Sequence, residues 1–106
     1  MKRVVVTGMG IVSPVGTGVE FAWKNIVNGV SGVRKIDTFD VTDYASKIAG
    51  IPMRGENDGD FNPDVAIDTR EQRKMDRTIL YGLTAADEAM HDAGLIDWSV
   101  IHWVED

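Results

Sequence analysis

At 106 residues the chain has room for one domain with a modest core. Its 17 acidic against 11 basic residues, a net charge of −6, argue against a general nucleic-acid binder. Cysteine is absent, which excludes disulfides, thiolate metal sites and a cysteine nucleophile within these residues. No apolar run approaches the roughly eighteen residues of a membrane span. The apolar run after the first basic residues is too short for a signal peptide, so a cytoplasmic location is expected.

Residues 2–7 are apolar and β-branched in the middle without alternation, the pattern of a strand buried on both faces, and Gly8 and Gly10 close it. "TGVEFAWKNIVNG" predicts a helix. Thr17 and Glu20 stand at capping-box spacing, Val19, Trp23, Ile26 and Val27 share one apolar face, and Gly29 is the stop. "SGVRKIDTFD" reads as a loop, "ASKIAGI" as a short strand and "PMRGENDGDFNP" as an exposed loop. A long helix over 68–93 follows, with Asp68 and Glu71 again at capping spacing. Met75, Ile79, Leu83, Ala86, Met90 and Ala93 form its buried stripe. Ala85, Ala86 and Ala89 are small enough to admit a close neighbour, and Gly94 ends the helix. The tail "IDWSVIHWVED" fits a strand or a loop equally. Strand, helix, strand and long helix in that order define the α/β class.

Four constellations invite chemistry, and three of them read more simply. "VVVTGMGIVSPVG" has the first two glycines of a dinucleotide fingerprint, but Ser13 stands at the third, Pro14 follows, and the helix signal begins only near Gly18. The glycines are read as a tight strand exit, with a small nucleotide-binding α/β domain as the alternative. His91 and His102 have no metal-ligand spacing and no neighbouring nucleophile motif. Asp58, Asp60 and Asp64 lack the spacing of an EF-hand. No metal and no cofactor are expected.

The fourth is basic. In "REQRKMDR", Arg70, Arg73, Lys74 and Arg77 advance by three, one and three, which on a helix puts them on one broad side near the N-terminus. Positive charge there opposes the helix dipole, where a sequence tuned for stability alone would place acids. Two readings stay open: a solvated face partly balanced by Glu71 and Asp76, and a docking patch for an acidic partner.

"RVVVTGMGIVSPVG", "WKNIVNGVSGV", "IDTFDVTDYASKIAG" and "EQRKMDRTILYGLTAADEAMHDAGL" together resemble successive N-terminal blocks of the β-ketoacyl-[acyl carrier protein] synthases. The similarity is strongest to the type II elongating enzymes of bacterial fatty acid synthesis, and covers residues 2 to about 95 in order. It implies the N-terminal part of a thiolase-like fold, a homodimeric enzyme, and condensation of an acyl thioester with malonyl-carrier through a cysteine and two histidines. Those three residues belong to later motifs of the family. Neither His91 nor His102 sits in such a motif, so no catalytic residue is assigned and the chain by itself is expected to have no condensing activity. Residues 96–106 depart from the family pattern, so 1–106 is expected to be an incomplete segment of the synthase domain. A truncated reading frame, a frameshift or an incomplete sequence would each produce this. The resemblance also implies a role for the basic cluster. The acidic, phosphopantetheine-bearing acyl carrier protein docks at this point in the family, on positions matching Arg70, Arg73 and Lys74. A non-catalytic carrier-binding module is the further alternative.

Overall fold

The structure, a computed structural model, describes residues 1–95. It divides into two units, Val12–Asn62 and Met1–Ile11 together with the chain from Pro63 onward. The expectations for the tail 96–106, including His102, lie outside the described residues.

The Val12–Asn62 unit starts with a tight hairpin. β1 (Val12–Ser13) pairs antiparallel with β2 (Gly16–Thr17), Val12 opposite Thr17, and the Ser13 hydroxyl donates to the Gly16 carbonyl at 2.7 Å. α1 (Val19–Val27) follows at once. Thr17 does not cap it, contrary to the capping-box expectation. Its N–H donates to the Gly59 carbonyl at 2.8 Å, and its hydroxyl is buried without a partner among the described residues. Gly18 takes the N-cap position instead, so Thr17 stands one residue too early for its oxygen to serve the first turn.

The other end of α1 is as expected. The N–H groups of Gly29 and Val30 return to the carbonyls of Ile26 and Asn25, a Schellman closure with Gly29 at φ 71°. Ala22 is the buried residue of α1, whereas Trp23, Ile26 and Val27 of the expected apolar face are exposed.

β3 (Val33–Lys35) replaces the expected loop. It pairs antiparallel with β4 (Ile48–Gly50), the strand expected in "ASKIAGI". Three exposed residues without alternation carry no strand signal by themselves, so only the partner defines β3. The Lys47 ammonium donates to the carbonyls of Val41, Thr42 and Tyr44, which ties off the connection between the two strands.

The other unit is built on helices. A 3-10 turn (Pro63–Val65) leads to α2 (Thr69–Gln72) and α3 (Arg77–Asp92). Asp68 caps α2 as expected, its Oδ1 accepting the Arg70 N–H at 3.0 Å. The single helix over 68–93 is not present. Asp76 has extended backbone angles, and its Oδ1 accepts the Ile79 N–H at 3.1 Å, so the chain stops and starts again. An aspartate carboxylate competes with the backbone carbonyl for such amides, which makes Asp76 a helix start instead of an interior residue.

Past the restart, the buried residue of α3 is not the one expected. Leu80 is buried at 7% exposure while the expected Ile79 is 47% exposed. Gly94, at φ 82°, closes α3 with a second Schellman pair, Gly94 N–H to His91 and Leu95 N–H to Met90. Replacing Asp76 with alanine should cost about 1 kcal/mol of stability. A lower urea midpoint with an unchanged slope would report it.

Residues 8–11 run along α3. The Met9 N–H donates to Asp92 Oδ2 and the Ile11 N–H to Glu88 Oε1, each at 3.0 Å. Between them the backbone comes very close to the helix. A Cβ on Gly8 would stand 2.2 Å from the Ala89 carbonyl oxygen, and one on Gly10 would stand 1.9 Å from that of Ala85. The small alanines of α3 are what admit this approach. Residues 2–7, by contrast, form no strand, and Val4, Val5 and Val6 are 94%, 73% and 80% exposed. A buried strand exists only where neighbours occupy both its edges and faces, and no described residue pairs with this segment.

Candidate functional site

The basic cluster lies on α2 and the turn after it, with Arg77 as the first residue of α3. Backbone bonds from Glu71 to Asp68, Lys74 to Glu71 and Met75 to Gln72 are all of the tight i to i−3 kind, at 2.9, 3.1 and 3.1 Å. With the Gln72 N–H also reaching the Asp68 carbonyl at 3.1 Å in the α manner, the turn is mixed, and residues three apart such as Arg70 and Arg73 share one broad side of it. It also brings Lys74 back over Glu71, with Nζ 3.8 Å from Oε1. The Arg70 Nε is 4.0 Å from Asp68 Oδ1. The Arg70 and Lys74 side chains are 87% and 75% exposed, so neither ion pair holds its cation strongly. Arg73 is exposed and has no carboxylate partner among the described residues.

The cluster therefore stands differently toward the helix dipoles than the sequence pattern predicts. Arg73 and Lys74 follow a helix of 4 residues and do not open a long one, so only Arg77 stands against the N-terminus of α3. The three cations Arg70, Arg73 and Lys74 are still gathered on one protruding turn. Gln72, unremarkable in the sequence, is the single residue of 68–74 that is not exposed. Its Nε2 donates to Asp64 Oδ1 at 2.8 Å and to the Ile67 carbonyl at 2.9 Å. Beneath it Pro63 is fully buried and Ile67 is 8% exposed.

The remaining candidates do not assemble. His91 sits near the end of α3 with Nδ1 2.8 Å from the Asp87 carbonyl oxygen, a bond within its own helix. Asp60 accepts the Asn57 N–H at 3.3 Å in its own loop, and Asp64 is bound to Gln72. Among the described residues no group of histidines and acids could hold a metal ion. Gly8 and Gly10 are pressed against α3 and leave no open cradle for a phosphate. Asp40 is held below the ordinary carboxylate range, first by the Thr42 hydroxyl and then by the Thr42 N–H, but both bonds are local to an exposed loop.

The profile described as "Beta-ketoacyl synthase, N-terminal domain" matches residues 1–101. The chain belongs to that family, and its α/β architecture is the N-terminal part of a thiolase-like ketosynthase fold. Over 95 residues it is 46% identical to the 3-oxoacyl-[acyl-carrier-protein] synthase 2 of Rhizobium meliloti (strain 1021), covering 89% of this chain and 23% of that protein. The protein of the same name from Vibrio harveyi is 42% identical over 94 residues, covering 89% of this chain and 21% of that one. A solved structure, the ishigamide ketosynthase/chain length factor, superposes with a TM-score of 0.73 at 37% identity, over 89% of this chain and 22% of that one. The chain therefore spans less than a quarter of each of these relatives. No helix among the described residues is long and apolar enough to cross a membrane.

Proposed function

We propose that the chain is the N-terminal part of a β-ketoacyl-[acyl carrier protein] synthase of fatty acid elongation, and that Arg70, Arg73 and Lys74 dock the acyl carrier protein. The whole enzyme condenses an acyl thioester with malonyl-carrier and works as a homodimer. Its thioester-forming cysteine and two histidines lie outside these 106 residues, which contain no cysteine. What remains here is the encounter surface.

One observation carries the docking reading. A chain of net charge −6 exposes three cations on a single short turn, with Arg73 unneutralised among the described residues. The names of the relatives specify a 3-oxoacyl-[acyl-carrier-protein], and an acidic carrier would complement such a turn. Exposed charges steer the encounter and fix orientation more than they supply affinity. A calorimetric titration of the chain with acyl carrier protein should therefore show weak, one-to-one binding at low salt. Raising salt to about 0.5 M, where the screening length drops to a few ångströms, should weaken it roughly tenfold or more. Binding that is indifferent to salt, or absent at low salt, would overturn the docking role.

A further inference from the structure

Resting on that reading, we infer that Gln72 is the positioning residue of the docking turn, the side chain that converts three flexible cations into an oriented patch.

α2 has 4 residues and no buried residue, too short to be stable as an isolated helix. Asp68, Thr69, Arg70, Glu71, Arg73 and Lys74 are all exposed, so none of them secures the turn to anything beneath. Gln72 does so. Its carboxamide nitrogen carries two N–H donors, and its contacts at 2.8 and 2.9 Å match both of them, to Asp64 Oδ1 and the Ile67 carbonyl. The bond to Asp64 is charge-assisted and the stronger of the two. Asp64 directly follows the buried Pro63, and Ile67 is itself buried, so both acceptors adjoin the packed part of this segment. One neutral side chain thus fixes the backbone from which Arg70, Arg73 and Lys74 project. Without it, a partner would have to order the turn as it binds, which lowers affinity without removing any charge contact.

The test compares Gln72→Ala and Gln72→Glu with the unaltered chain in carrier titrations and in amide hydrogen exchange. Gln72→Ala keeps every cation, so the dissociation constant should rise roughly fivefold with the same steepness of salt dependence. Gln72→Glu is isosteric but sets a carboxylate against Asp64 and the Ile67 carbonyl, and should weaken binding further. Exchange should accelerate at the amides of 70–75 in both variants and stay unchanged in α3 from Leu80 to Met90, a separation that general destabilisation would not produce. Carrier binding by Gln72→Ala equal to that of the unaltered chain would overturn the positioning role, as would exchange rising equally along α3. Failure of the unaltered chain to bind carrier at low salt is a different result. It removes the docking role itself, and the positioning role with it.

Discussion

Gly10→Val should unfold much of the Met1–Ile11 and Pro63-onward unit, with a loss of about 3 kcal/mol or more. The first added carbon would lie 1.9 Å from the Ala85 carbonyl oxygen and 2.9 Å from the Ala89 amide nitrogen. Both are backbone atoms of α3, so no rotamer change can relieve the clash. The segment would have to lift away, taking the Ile11 bond to Glu88 and the Met9 bond to Asp92 with it. Gly82 provides the contrast, since it lies in the same helix and a Cβ there meets nothing within 4 Å. Gly82→Ala should stabilise by roughly 0.5–1 kcal/mol through helix propensity. Urea unfolding of both variants, followed by far-UV circular dichroism, decides the matter. Midpoints for Gly10→Val and the unaltered chain that coincide would show that residues 8–11 do not bear on α3.

What could be read beforehand follows from how local each feature is. Gly29 and Gly94 close their helices through bonds within a few residues, so composition alone announced them. The cap at Asp68 was equally local, and the strand expected in "ASKIAGI" is present as β4. The stretch 2–7 has a strand's composition and no ladder, because pairing depends on what lies beside it and not on its own side chains. β3 shows the converse, a strand without a pattern that β4 alone creates.

The break before α3 was hidden by coincidence. Met75 and Ile79 are four apart and carry an apparent stripe across the gap, although Asp76 followed by Ile79 three residues later was a legible cap. At the candidate site, Arg70, Arg73 and Lys74 were proposed from charge spacing and family resemblance. Gln72 was not, since a glutamine among charged residues carries no signal until its two acceptors are in place.

Reversing charge at the turn is the most direct measurement of its role. In Arg73→Glu with Lys74→Glu, two cations become anions on a turn that already presents Asp68 and Glu71, so an acidic carrier meets repulsion where it met attraction. Neither side chain is buried or clamps the fold, so helix content should be unchanged and the loss attributable to charge. The matched control is Lys2→Glu with Arg3→Glu, the same charge change on an exposed segment outside the turn. Titrated with acyl carrier protein at low salt, the control should bind within about twofold of the unaltered chain, the remainder coming from overall charge. The Arg73/Lys74 reversal should show no detectable binding. Equal binding by that reversal and the unaltered chain, with circular dichroism unchanged, would contradict the docking role and leave the cluster a solvated face.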